Sequence, residues 1–97
     1  MTITAKIDGK IARVGELKPL SNGNSVYNCT IGVWIEKENR AEYVQAACFG
    51  ELAATVSLLE KNAAISVIGA LRLVEYTSRD GVLKQALNVT VNNFIAL

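Results

Sequence analysis

The chain has 97 residues, and ten Lys and Arg against nine Asp and Glu give it a net charge of +1. This length suits a single domain, which we expect to cover residues 1–97. A near-neutral charge gives no general indication of polyanion binding, and no apolar run approaches the roughly 18 residues of a membrane span. Since 51% of the residues are apolar but only 6% are aromatic, aliphatic side chains must build the core.

Apolar and polar residues alternate over most of the chain, which is typical of strands with one buried face. Bends are expected where glycine interrupts this pattern, at Gly9, Gly32 and Gly69. Residues 16–24 are predicted to be a connection, because Pro19 does not fit a central strand and a turn signal follows it. The predicted strands are residues 3–14, 25–35, 43–49, 64–74 and 82–95. Because the alternation starts at the first residue, we expect no signal peptide.

One segment has a helical period. Leu52, Val56 and Leu59 are spaced as on one face of a helix, which predicts a helix of about three turns over residues 51–61. Asn62 then suits the left-handed position that ends a helix. A parallel sheet would need helices between successive strands. The β-β-β-α-β-β order instead predicts an all-β, five-stranded OB-fold barrel with one capping helix between strands 3 and 4.

Residues for catalysis are scarce. The sequence has no histidine, its carboxylates are scattered, and it lacks the glycine-rich motifs that bind phosphates. Cys29 and Cys48 lie in apolar strands, where reduced core thiols are the ordinary interpretation. We therefore expect a protein that is not an enzyme and that has no metal site and no cofactor.

The third predicted strand offers a surface for stacking. Regular alternation places Tyr43, Gln45 and Phe49 on one face and small apolar residues on the other. Unstacked bases can lie on such rings, although Phe49 could also belong to the core. Tyr76, near the end of the fourth strand, could stack a base or be a half-buried strand tyrosine. Trp34 could pack the barrel end, cover a subunit interface or stack a base. These patterns leave nucleic acid, protein and oligosaccharide open as ligands.

Several segments resemble the bacterial and phage single-stranded DNA-binding protein (SSB) family. Residues 42–53 read EYVQAACFGELA, and in that family an aromatic residue opens strand three while a Phe-Gly-x-Leu-Ala run leads into the helix. Residues 69–72 read GALR, similar to the family's Gly-x-Leu-Arg, and residues 80–81 match its hairpin turn. The resemblance covers roughly residues 5–95.

This resemblance implies non-catalytic, largely sequence-independent coating of single-stranded DNA in replication, recombination or repair. It implies stacking positions for Tyr43, Phe49 and Tyr76, and Trp34 lies near a further family aromatic. Arg72 and Lys84 correspond to basic family positions, and other basic residues would join them on folding. The predicted contacts to the DNA backbone are Lys6, Lys10, Arg13, Arg72, Arg79 and Lys84.

The sequence also departs from the family. Gln45 stands where a basic residue is common, and the loop of residues 36–41 is short and acidic. The sequence ends at Leu97, so we expect no acidic C-terminal tail for partner recruitment. A small core and apolar strand edges favour a homo-oligomer, a dimer or a tetramer. The expected location is the bacterial cytoplasm, for a bacterial, phage or plasmid protein. The alternative is an OB-fold interaction protein of a replication, primosome or conjugation complex with weak DNA binding.

Overall fold

A computed structural model describes residues 3–97, so the alternation of residues 1 and 2 lies outside the described chain. A short 3-10 helix, Glu36–Glu38, joins the second long strand to the third. Within the described residues no helix is long and apolar enough to cross a membrane. The elements are β1 (Ile3–Arg13), β2 (Leu17–Pro19), β3 (Ser25–Ile35), β4 (Arg40–Phe49), α1 (Glu51–Val56), β5 (Ala64–Thr77) and β6 (Leu83–Ala96).

The long strands close into a five-stranded barrel. Neighbouring strands follow the order β1-β5-β6-β4-β3, and β3 returns to β1 through pairs such as Lys10 with Gly32. The pair β4–β6 is parallel, whereas the other long strands pair in antiparallel fashion. With its helix between the third and fourth long strands, this is the OB fold that the element order predicts.

The barrel interior is filled by the inward residues of every long strand. Tyr27 is 2% exposed, and its hydroxyl accepts a hydrogen bond of 3.2 Å from the Gly15 N–H. Helix α1 covers one end of the barrel with Ala53 and Val56, both buried. The fully buried residues on the strands include Ile11, Ile31, Ile65, Val67 and Val89.

Two glycines allow the close strand crossings that a small barrel needs. A Cβ on Gly9 would collide with the carbonyl oxygen of Gly32, where β1 passes from β5 to β3. A Cβ on Gly69 would collide with the carbonyl oxygen of Thr90. The register of β5 against β6 also shifts at Gly69, which is a β-bulge at the predicted bend.

Helix α1 is shorter than predicted and ends at Val56. Residues after it form tight turns, and Asn62 has the predicted positive φ of 74°. The Asn62 N–H donates to the Ile11 carbonyl at 2.8 Å, and the Ile11 N–H donates to the Ala63 carbonyl at 3.0 Å. These bonds attach the chain to β1, and a helix continuing to residue 61 would not make them.

The predicted connection of residues 16–24 contains a short strand, β2. Its residues pair with the start of β3, with Pro19 opposite Ser25. Within the described chain β2 lies at the outer edge of the sheet, where proline is tolerated because no neighbour needs its missing N–H. Strands β4 and β5 are also longer than predicted, and β5 includes Tyr76.

Candidate nucleic-acid interface

The alternation of β4 places its aromatic residues outside the barrel. Tyr43 and Phe49 are 54% and 48% exposed, whereas Val44 and Cys48 are buried. Residues that are Cα partners in a sheet point to the same side. One surface therefore contains the outward residues of five strands, and we call it the front face. It consists of the outward residues of β3, β4 and β6, of β1 from residue 10, and of β5 from residue 70.

A row of polar residues crosses the front face at right angles to the strands. Each member is the Cα partner of the next, from β1 through β3, β4 and β6 to β5. The row has a guanidinium group at each end and neutral polar groups between them. Its members, in order, are Arg13, Thr30, Gln45, Asn88 and Arg72.

Two aromatic residues line a groove beside this row. Trp34 is 58% exposed and lies on β3, two residues beyond Gly32, the cross-strand partner of Tyr43. The groove has a volume of about 600 Å³, and Lys10 and Asn62 also line it. Its remaining lining includes the small residues Gly9, Ala12 and Gly32. Phe49 lies at the far end of β4, about 20 Å along the strand from Tyr43.

Tyr76 lies on a hairpin that extends beyond the barrel. In the described chain, β5 pairs with β1 only up to Leu71 and β6 pairs with β4 only from Leu87. Residues 74–86 therefore have only each other as strand neighbours, and we call this hairpin the arm. Tyr76 and Lys84 are Cα partners on it, and Tyr76 is 48% exposed.

The turn of the arm is ordered by hydrogen bonds. The Ser78 hydroxyl donates to the Asp80 carboxylate, as does the Val82 N–H at 3.4 Å. These bonds lower the pKa of Asp80 from its ordinary value. Gly81 has a φ of 82°, a conformation that favours glycine. Arg79 is exposed in the same turn.

Among the described residues, the front face carries basic side chains but no acidic ones. Within residues 3–97, no outward position of the front face is Asp or Glu, whereas the basic residues Lys10, Arg13, Arg72 and Lys84 occupy it. Asp8 precedes the front-face part of β1 but also lines the groove, where it accepts a hydrogen bond from Ser66 and lies 3.8 Å from the Lys6 ammonium group.

Two glutamates lie around Arg40, near the 3-10 helix. Arg40 pairs with Glu42 at 2.6 Å and with Glu38 at 3.1 Å. The hydrogen bond from Arg40 lowers the pKa of Glu42. Glu42 shares the side of β4 that Val44 takes, so its charge faces away from the front face.

The structure brings most of the predicted site residues together. Tyr43, Trp34, Lys10, Arg13 and Arg72 share the front face around the polar row. Phe49 lies at the end of the same face, and the arm carries the rest of the group. The arm residues are Tyr76, Arg79 and Lys84.

Lys6 lies apart from the other predicted backbone contacts. It is the Cα partner of Ile68 in the β1–β5 pair, outside the strand segments that define the front face. Thr30 and Asn88 belong to the polar row but were not predicted as site residues. Period-two alternation marks both as outward, but their place in the row depends on pairings between non-consecutive strands.

A family comparison identifies the chain. The model of the single-strand binding protein family matches residues 4–97. The chain belongs to this family. As a member of the single-strand binding protein family it is a non-catalytic protein that binds single-stranded DNA. A comparison with curated protein sequences finds no significant match.

Among solved structures, the chain is similar to the small single-stranded DNA-binding protein from Streptomyces coelicolor. The TM-score is 0.78 at 16% sequence identity, and the superposition covers 99% of this chain and 94% of that chain. At this low identity the likeness supports the OB fold and nothing about individual residues.

Proposed function

We propose that this single-strand binding protein coats DNA by laying the strand across the front face and the arm. The bases stack on Tyr43, Trp34, Phe49 and Tyr76, and basic side chains contact the backbone. The observation that carries this proposal is the front face itself, which combines exposed aromatic rings with basic groups and has no carboxylate at its outward positions within residues 3–97. The backbone contacts are Lys10, Arg13, Arg72, Arg79 and Lys84, with Lys6 farther along the β1–β5 wall.

Stacking supplies most of the affinity in this proposal. Each base–aromatic stack contributes about 1–3 kcal/mol and tolerates any base. Each neutralised phosphate adds about −0.7 to the slope of log K against log salt on a single strand. A chain of net charge +1 can therefore bind DNA, because its basic groups are concentrated where the strand passes. We place this coating in replication, recombination or repair, in the cytoplasm of a bacterial cell.

A fluorescence titration with an oligo-dT of about 30 nucleotides tests this assignment. We expect binding at about 50 mM salt that weakens as salt rises. Tyr43→Ala and Tyr76→Ala should each weaken binding by about 1–3 kcal/mol. Leu58→Ala is the control, because Leu58 is 80% exposed and lies after α1, on none of the strands that form the front face. Unchanged affinity in both tyrosine variants would contradict the assignment of the front face.

We also propose that the protein is a homo-oligomer, a dimer or a tetramer, and that a second copy covers the back of the barrel. From Ile3 to Gly9, β1 pairs with β5 on one side, and no other strand of the described chain pairs with its outer edge. Beside it lies the back patch, which we define as Ile68, Ile95 and Leu97, exposed by 37%, 57% and 72%. An unpaired strand edge beside exposed apolar residues favours pairing with another chain.

Mass measurement by size-exclusion chromatography with light scattering tests this oligomer. We expect the wild-type protein to have the mass of a dimer or a tetramer. Ile95→Lys should lower that mass by placing a charge in the back patch. Leu58→Lys is the control, because it also replaces an exposed apolar residue by a charged one, and it should leave the mass unchanged. A monomeric wild-type protein would contradict the proposal, as would an oligomer that Ile95→Lys leaves intact.

A further inference from the structure

Gln45 lies at the centre of the polar row and is held in place by its neighbour. The Thr30 hydroxyl donates a hydrogen bond of 3.0 Å to Oε1 of Gln45. Both residues face outward on the front face, as direct Cα partners of β3 and β4. The carbonyl oxygen already accepts one hydrogen bond, so the two N–H donors of Nε2 are the groups of this side chain most available to a ligand.

The polar groups around Gln45 surround a shallow hollow. The hollow has a volume of about 180 Å³ and lies between β4, β6 and β5, lined by Gln45, Asn88, Arg72 and Thr90 among others. Asn88 is the Cα partner of Gln45 on one side and of Arg72 on the other. Its carboxamide can donate or accept a hydrogen bond, whereas Arg72 can only donate.

The arrangement of these donors favours one kind of base edge. Thymine, uracil and guanine carry a carbonyl oxygen next to a ring N–H, whereas cytosine and adenine carry an amino group next to a ring nitrogen that accepts. A carbonyl oxygen can accept from Nε2 of Gln45, and the adjacent ring N–H can donate to the Asn88 side chain. An amino group would instead meet the N–H donors of Gln45, and it would share the carbonyl oxygen of that side chain with the Thr30 hydroxyl.

We propose that Gln45, oriented by Thr30 and assisted by Asn88, reads the carbonyl oxygen of a keto base and gives this protein a bias for thymine over cytosine. The inference rests on the proposed passage of DNA across the front face. Sequence-specific reading of single strands uses base edges in this way. Stacking on the aromatic residues binds every base, and the Gln45 contact adds a preference at one nucleotide of the bound strand.

Competition binding with short homopolymers tests the bias. Oligo-dT, oligo-dU and oligo-dC of about 15 nucleotides compete for the protein against a labelled strand at one salt concentration. Oligo-dU separates the effect of the carbonyl oxygen from that of the thymine methyl group. We expect oligo-dT and oligo-dU both to bind better than oligo-dC.

The decisive quantity is the change in the dT:dC affinity ratio on mutation, because homopolymers also differ in flexibility. Thr30→Val removes the hydroxyl that orients Gln45 and should lower this ratio by about 2- to 10-fold, the size of one neutral hydrogen bond. Gln45→Leu should lower it similarly, and neither change should alter the salt slope, because neither alters charge. Thr55→Val is the matched control, because Thr55 is exposed on α1, outside the front face and the arm, and this change should leave the ratio unchanged.

A second readout needs no variant at Gln45. In an NMR titration the side-chain amide protons of Gln45 should shift on addition of oligo-dT in the wild-type protein, and much less in Thr30→Val. An unchanged dT:dC ratio in Thr30→Val and Gln45→Leu, or a wild-type preference for dC, would overturn the inference. If Tyr43→Ala still weakens binding in that case, the proposed passage of DNA across the front face stands and only the reading of a base by Gln45 fails. If Tyr43→Ala also has no effect, the front face itself is wrong.

Discussion

At the scale of single residues, the exposure of Tyr43 depends on the residue opposite. Gly32 is its Cα partner, and a Cβ built on Gly32 would lie 3.5 Å from the Tyr43 ring. The ring therefore leans across a position without a side chain. Its near side is supported by the sheet, and its other side is free for a base. An aromatic ring fixed in this way loses little entropy when it stacks.

Tyr27 and Tyr43 show how the alternation of side chains along a strand gives one tyrosine a place in the core and another a place on the surface. Tyr27 occupies an inward position of β3 and is 2% exposed, whereas Tyr43 occupies an outward position of β4 and is 54% exposed. The alternation of residues 43–49 predicted the outward position of Tyr43 correctly. The hydroxyl of Tyr27 has a backbone partner inside the protein, so its polar end is buried without loss of a hydrogen bond.

At the scale of elements, the arm is the part of the site that the barrel does not support. Its two strands pair with each other over Val74–Ala86, Glu75–Gln85, Tyr76–Lys84 and Thr77–Leu83. Leu83 on its other side and Leu73 at its base, the Cα partner of Leu87, are 64% and 59% exposed. Because the buried core residues lie outside residues 75–85, the barrel should fold without the tip of the arm.

Replacing residues 76–84 by Asn-Gly tests the contribution of the arm. Glu75 and Gln85 are Cα partners, so a two-residue type I′ turn can join them. We expect a folded protein with a barrel of unchanged stability and with DNA affinity lower by about 1–3 kcal/mol, from the loss of Tyr76. The salt slope should also become shallower by up to about 1.4, because Arg79 and Lys84 are removed.

The full-length Tyr76→Ala variant separates the two effects of this truncation. It should lower affinity while keeping the salt slope, since both basic residues of the arm remain. Circular dichroism and thermal melting check that the shortened chain is folded. A truncated protein that is folded and binds oligo-dT with wild-type affinity and wild-type salt slope would show that DNA does not reach the arm.

The elements also show which parts of the fold the sequence could predict. Alternation, glycine positions and turn signals predicted the long strands and their order, because these are local properties of the chain. The end of α1 was mispredicted, because it depends on hydrogen bonds to Ile11, which is forty residues or more away in the sequence. Strand β2 was missed for a similar reason, since its only support is the start of β3.

At the scale of the whole molecule, barrel closure decides which charges meet. Arg13 and Arg72 are far apart in sequence, yet closure places them at the two ends of one row. Lys6 lies on the same strand as Arg13 but on the part that pairs with β5, so it lies apart from the front face. Composition therefore gives the net charge but not its distribution, which depends on pairings between distant strands.

Closure also buries both cysteines, at diagonal positions of the β3–β4 pair. Cys29 and Cys48 are 4% and 1% exposed, on the inward sides of β3 and β4. Burial raises the pKa of Cys29, and burial together with the charge of Cys29 raises the pKa of Cys48 to about 12. An unfolded cysteine ionises near a pKa of about 8.5. The folded protein therefore keeps the Cys48 proton at pH values where the unfolded chain releases it.

The sign of this difference predicts a loss of stability at alkaline pH. Below the unfolded pKa, the contribution of Cys48 to the free energy of unfolding is fully present. It decreases as pH rises toward about 12, with a slope of about 1.4 kcal/mol per pH unit above pH 9.

Urea unfolding at pH 7, 9 and 10 measures the free energy of unfolding of the wild-type protein and of Cys48→Ala. The variant should be less stable at pH 7 because of the cavity it leaves, and the stability difference should shrink by roughly 1 kcal/mol or more between pH 9 and pH 10. Because groups common to both proteins cancel in this comparison, a difference that stays constant with pH would contradict a raised pKa for Cys48.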